Sequence, residues 1–211
     1  MVEKEGRRRP VHGATMLIAQ LLLTVAVATA AQEPTAQKLF ESGKYQDAID
    51  KVKANAEAPQ DQVYLRALAH RKLDQNDDAK QVFGALASAG EGSAWGQIGK
   101  SGTALVDGNQ DEAEAAAKKA VEIDENLASA RYQLGLVESA RNKQTEAAEA
   151  FAKAADLDPQ MAYAHYEAGM AYYKAKRVDR MAVYFENFLK LAPNAPERPA
   201  VQSIMRTVRG R

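Results

Sequence analysis

The 211-residue chain contains no cysteine, which excludes disulfides, a thiolate nucleophile and any Cys-ligated zinc or iron–sulfur cluster. Histidine is nearly as scarce. Only His70 and His165 lie beyond the first thirty residues, far apart in sequence and outside any H-x-x-x-H pair, so no metallohydrolase signature is present. Charge of one sign is also missing: 28 Lys and Arg balance 28 Asp and Glu, without the basic excess of a dedicated nucleic-acid binder. No segment alternates with the period of two that marks a half-buried strand. What remains is the composition of a folded protein, 46% apolar and 27% charged, with a single tryptophan, Trp95. No catalytic residue, cofactor or metal is expected from this inventory.

The first thirty residues differ from the rest. Arg7, Arg8 and Arg9 precede an apolar run from Met16 to Ala28, followed by Ala28-Thr29-Ala30. A basic region, an apolar core and an A-x-A site form a secretory signal, so residues 1–30 are expected to be a cleaved signal peptide. Their removal takes away four basic and two acidic residues, leaving a mature chain with a net charge of −2. The alternative is an uncleaved signal anchor, because the stretch from Ala14 to Ala31 carries no charge and reaches the lower limit for crossing a bilayer. The expected location is the periplasm or envelope of a bacterium, or its inner membrane if the anchor is kept.

Beyond this segment the sequence repeats. EIDENLASARYQLG from Glu122, DLDPQMAYAHYEAG from Asp156 and KLAPNAPERPA from Lys190 begin at equal intervals along the chain. Gly135 and Gly169 fall in register, as do Phe151 and Phe185, and Pro159 and Pro193. A small residue recurs at Ala48, Ala79, Ala113 and Ala147, enlarged to Met181. Stretches such as Asp111 to Asp124 combine high helix propensity with a 3.6-residue period. Ser42-Gly43, Asp107-Gly108-Asn109 and Arg141-Asn142 are turn signals that split units into two helices.

This pattern resembles the tetratricopeptide repeat (TPR) family, whose unit is a 34-residue helix–turn–helix. The resemblance is strongest in Leu134-Gly135, Ala147, Phe151, Ala154 and Pro159, and in Gly169, Tyr172, Phe185 and Pro193. It is looser where Lys100-Ser101 stands in place of Leu-Gly. It implies an all-α fold, an α-solenoid of about five TPR helix–turn–helix units, over residues 31–195. The units fall at about 34–59 (truncated), 60–93, 94–127, 128–161 and 162–195. Val201, Ile204, Met205 and Val208 form an i, i+3, i+4, i+7 stripe that predicts a capping helix within 196–211.

The resemblance also implies a site. Helix A positions of such arrays line a concave groove that receives a segment of a partner. By repeat phase these are Tyr64, Leu68, Arg71 and Lys72; Trp95, Ile98 and Leu105; Tyr132 and Leu136; and Tyr163, Tyr166, Met170, Tyr173 and Lys174. The Lys/Asn/Arg clamp that some members use for a C-terminal carboxylate is not matched. An apolar and aromatic groove with basic edges suits an extended or helical peptide. The expected function is a non-catalytic scaffold or assembly factor of the cell envelope with a protein partner, contacting membrane only if the N-terminal segment is retained. A membrane-anchored adaptor is the second reading. An enzyme subunit or nucleotide-binding protein is the third, resting on AWGQIGKS (Ala94 to Ser101), which fits a relaxed phosphate-loop pattern but falls by phase inside a helix. His70 and His165 fall at helix A positions where the family places packing aromatics. The glycine cluster from Gly84 to Gly102 is expected to make the third unit's first helix the least stable of the array.

Overall fold

The computed structural model describes residues 33–210. The expected signal or anchor segment, residues 1–30, lies outside them. From Pro34 onward the chain is one compact unit of antiparallel helix pairs. The pairs are α1 (Ala36–Glu41) with α2 (Tyr45–Lys53), α3 (Gln60–Lys72) with α4 (Asn76–Ala87), and α5 (Ala94–Val106) with α6 (Gln110–Ile123). They continue with α7 (Ala128–Ala140) and α8 (Gln144–Leu157), then α9 (Ala162–Lys174) and α10 (Val178–Leu191), and α11 (Arg198–Arg209) closes the array. Among the described residues there is no strand, and no helix is long and apolar enough to cross a membrane.

The turn inside each pair is the same device used five times. One residue takes a left-handed conformation: Gly43, Asp74, Gly108, Asn142 and Lys176, at steps of 31, 34, 34 and 34. The next residue then donates its N–H to a carbonyl five positions back, as in Gln75 to His70 (3.0 Å) and Arg177 to Tyr172 (2.8 Å). This is a Schellman closure, which satisfies carbonyls that the helix end would otherwise leave open. Glycine suits that position, but Asp74 and Lys176 adopt it without glycine's freedom.

Packing between the helices explains the phased residues. Ala79, Ala113 and Ala147 are fully buried where helices cross, and Phe83, Phe151 and Phe185 fill the space beside them. A side chain at Gly135 or Gly169 would collide with the Phe151 or Phe185 ring, which is why those positions carry none. Val201 and Met205 of α11 join the same core, so the predicted stripe covers the last unit.

The glycines of α5 have a different role from the one expected. Gly96, Gly99 and Gly102 lie on one stripe facing α4 and the turn before α5, where an added β-carbon would meet the Gly90 carbonyl, the backbone of Phe83 and Ala87, and the Phe83 ring. The glycines therefore permit backbone contact between α4 and α5. The propensity cost of about 1 kcal/mol each is set against close packing of a helix with eight buried residues.

Units three and four are also tied by charge. Glu114 of α6 is paired with Lys118 (2.6 Å), with Arg141 (2.8 Å) and with Lys143 (3.0 Å) of the α7–α8 turn. Hydrogen bonds from Lys118 and Lys143 hold its carboxyl down at about 2, from an ordinary 4.5. A depressed carboxylate stabilises the fold above the unfolded pKa and loses that contribution as pH falls through the folded one. The urea midpoint should therefore drop between pH 4.5 and 2, and Glu114→Gln should flatten that part of the profile. An unchanged slope in the variant would show that the cluster contributes nothing.

Candidate functional site: an aromatic cavity inside the array

The inner face is built by the first helix of each pair, and here it closes on itself. Phe40 of α1 meets the edge of Tyr163 of α9, ring centres 5.0 Å apart, and the Tyr45 and Tyr163 hydroxyls are 3.2 Å apart. Tyr163 donates to Glu197 (2.8 Å), which also pairs with Lys72 of α3 (3.1 Å). The Lys72 ammonium sits over the Tyr163 ring at 4.7 Å. Unit one and unit two thus reach unit five across the mouth of the array.

A second link runs deeper. Tyr64 of α3 donates to Gln133 of α7 (2.9 Å), Gln133 donates to Ser101 of α5 (3.0 Å), and Ser101 donates to the Ala113 carbonyl (2.9 Å). All three side chains are buried, so each polar atom in the chain needs its partner. Tyr64 and Gln133 belong to units two and four. They meet past the third unit, whose α5 is drawn against α4 by its glycine stripe.

Between these links the five inner helices surround a cavity of about 250 Å³. Phe40, Tyr64, Trp95, Tyr132 and Tyr163 line it together with Leu65, Leu68 and Met161, and its charged lining groups are Asp61 and Asp158. Burial pushes the Tyr64, Tyr132 and Tyr163 phenols up, and Tyr166 to about 12, so these groups are neutral near pH 7.

Of the residues expected in an open groove, Tyr64, Trp95, Tyr132, Tyr163 and Leu68 do line this space. The groove itself is corrected to a partly open cavity, because α1 and Glu197 bridge the array on one side, and Tyr64, Tyr132 and Tyr163 are buried. Ile98 is fully buried core and faces no groove. Leu136 and Met170 are half-buried against the core, Leu105 packs on a small cluster around Ala113 and Val137, and Tyr166 lies between Tyr163 and Phe188. Arg71 is half-buried, whereas Tyr173 and Lys174 are exposed. The expected basic edge is also corrected. Lys72 is engaged by Glu197, and the cavity's own rim is acidic.

Sequence reasoning missed Phe40, Gln133, Glu197 and the two aspartates. Phe40 and Glu197 lie in the truncated first unit and the linker to the cap, where repeat phase supplies no register. Glu167 was missed as well: it is half-buried, and burial raises its carboxyl pKa against the lowering effect of Lys72 and Lys174. The histidines are buried as expected. His70 is hydrogen-bonded to Gln75 (2.7 Å), and His165 lies 3.2 Å from the Pro159 carbonyl, its pKa lowered by burial. AWGQIGKS is helical, and Lys100 pairs with Glu91 at 2.7 Å. Among the described residues no cluster of His, Asp and Glu could hold a metal ion.

Tetratricopeptide repeat family models match residues 128–161 and 163–195, within one residue of units four and five. The last two units are tetratricopeptide repeats. The whole array is similar in fold to solved TPR proteins. One is TTC0263, a thermophilic TPR protein of Thermus thermophilus, 18% identical with a TM-score of 0.58, the match covering 81% of this chain and 95% of that one. Another is YrrB, a TPR protein with an unusual peptide-binding site, 20% identical with a TM-score of 0.51 over 80% of this chain and 88% of that one. No curated protein matches the sequence. The fold is a TPR α-solenoid whose first and last units touch.

Proposed function

We propose that the chain is a non-catalytic interaction module, exported to a bacterial cell envelope, whose TPR inner face holds a segment of a partner protein. The observation that carries this reading is the cavity: the inner helices of all five units converge on one aromatic-lined space. Tyrosine and tryptophan supply large contact area at low entropic cost, and binding energy concentrates on such residues. YrrB, a TPR protein with a peptide-binding site, offers support at the level of fold. Export is supported by the basic, apolar and A-x-A succession before Ala31. The uncharged stretch from Ala14 to Ala31 supports the second reading, in which the same module is anchored in the membrane.

Two measurements test this. Protein isolated from its host should begin at Ala31 by intact mass, and retention of residues 1–30 would favour the anchored form. Immobilised protein should retain a partner from envelope extract. Trp95→Ala should reduce that retention about tenfold or more with helicity unchanged. Equal retention by the variant would remove the inner face from the interaction.

A further inference from the structure

The composition of the cavity wall selects among partners. Five of its lining residues are aromatic, and none is lysine or arginine. Asp61, in the first turn of α3, is exposed, and Asp158, at the α8–α9 turn, is half-buried, which places the mouth between these two segments. Among the described residues Asp61 forms no ion pair. Asp158 accepts only a local hydrogen bond from the Gln160 N–H (3.0 Å). Of the neighbouring cations, Lys72 is held by Glu197 and the Tyr163 ring, and Arg71 acts on Tyr64 and Tyr132 from outside the lining. The rim is therefore negative and free to pair, above a neutral aromatic wall.

Size narrows the choice further. An apolar cavity of about 150 Å³ is known to take up benzene, so about 250 Å³ suits a single large side chain and not a helix. We propose that the cavity receives one aromatic or large aliphatic side chain of the partner segment, flanked by lysine or arginine that pairs with Asp61 and Asp158. This rests on the interaction reading above and specifies its chemistry. The anchor buries apolar surface against Tyr64, Trp95 and Tyr132. The flanking cation gains from the carboxylates and from the electron-rich ring faces. An acidic flank would meet like charge and be disfavoured.

Trp95 is the one tryptophan of the chain and lies on the wall, so its fluorescence reports occupancy directly. The probes are three acetylated, amidated tripeptides: Lys-Phe-Lys, Glu-Phe-Glu and Lys-Ala-Lys. Lys-Phe-Lys should produce a saturable change at low ionic strength. Glu-Phe-Glu should bind about fivefold more weakly or worse, and Lys-Ala-Lys should produce no saturation in the same range. The Asp61→Asn, Asp158→Asn double variant should lose the charge preference yet keep the requirement for phenylalanine. Ala128→Leu, which fills the cavity, should abolish the response. Should that variant fail to fold, the aspartate variant decides alone, because Asp61 is exposed and asparagine keeps the turn at 158. Equal responses to all three peptides, or a preference that survives the double variant, would overturn the assignment. A protein that retains an envelope partner while Trp95 stays silent to every peptide would overturn the pocket and leave the interaction module standing. Failure of both would remove the reading on which the pocket rests.

Discussion

Gly99→Ala should lower the unfolding free energy by about 3 kcal/mol, while Gly84→Ala should raise it by about 0.5–1 kcal/mol. Both glycines lie inside helices, so propensity alone would predict a gain of up to about 1 kcal/mol for each. Space decides between them. Gly84 is exposed on α4, and nothing lies within 4 Å of where its β-carbon would be. Gly99 is buried, and its β-carbon would strike the Phe83 carbonyl and the Ala87 nitrogen, both backbone atoms that cannot rotate away. The variant must separate α4 from α5, which also strains the Tyr64–Gln133–Ser101 chain anchored on α5. Urea denaturation of both variants measures the contrast. Native-state hydrogen exchange of the unsubstituted protein gives a second check, since α5 should be protected to a similar degree as α7. Parallel gains in the two variants, or rapid exchange confined to α5, would restore the reading of the glycine cluster as a weak element.

Truncating Tyr163 should have an effect of comparable or larger size. Tyr163→Ala should cost about 3–5 kcal/mol, in the range for deleting a buried aromatic ring. The ring meets Phe40, Tyr166 and Phe188, supports the Lys72 ammonium, and carries the hydroxyl bound to Glu197. Tyr163→Phe should cost about 1–2 kcal/mol, because it removes only the hydroxyl from a charged partner that keeps Lys72. The distribution of the loss matters as much as its size. A repeat array transmits stability between neighbours, yet this side chain joins unit one to unit five directly. Hydrogen exchange in α1 and α2 should therefore rise more than in α7 and α8. A loss confined to unit five would mean that the array is not closed. Tyr132, expected from repeat phase to line the groove, belongs to the same class and should lose stability on truncation to alanine. It is buried and packs on Phe151 with ring centres 5.3 Å apart.

The fold was legible because it is local. Helix propensity, small residues at crossings and a turn recurring once per repeat act over one unit, and each unit contacts mainly its neighbours. Ala113, Phe151 and Gly169 could be assigned packing roles from register alone, and all three are buried. The same register placed Tyr64, Trp95, Tyr132 and Tyr163 on one inner face. It misplaced Ile98, because side-chain phase on a single helix does not reveal how far that helix has been drawn into the core.

By itself, then, the amino-acid order determined the unit, its number, its helices and the cap. Tertiary structure alone decided that the inner face narrows to a partly enclosed cavity with two aspartates among its lining residues. That outcome depends on curvature, which is the sum of small displacements between successive units and leaves no local trace in the sequence. Here the glycine stripe lets α5 sit against α4, Tyr64 reaches Gln133, and Phe40 and Tyr45 come against Tyr163, which is 118 residues beyond Tyr45. Contacts so distant follow only from the assembled geometry of every unit between them.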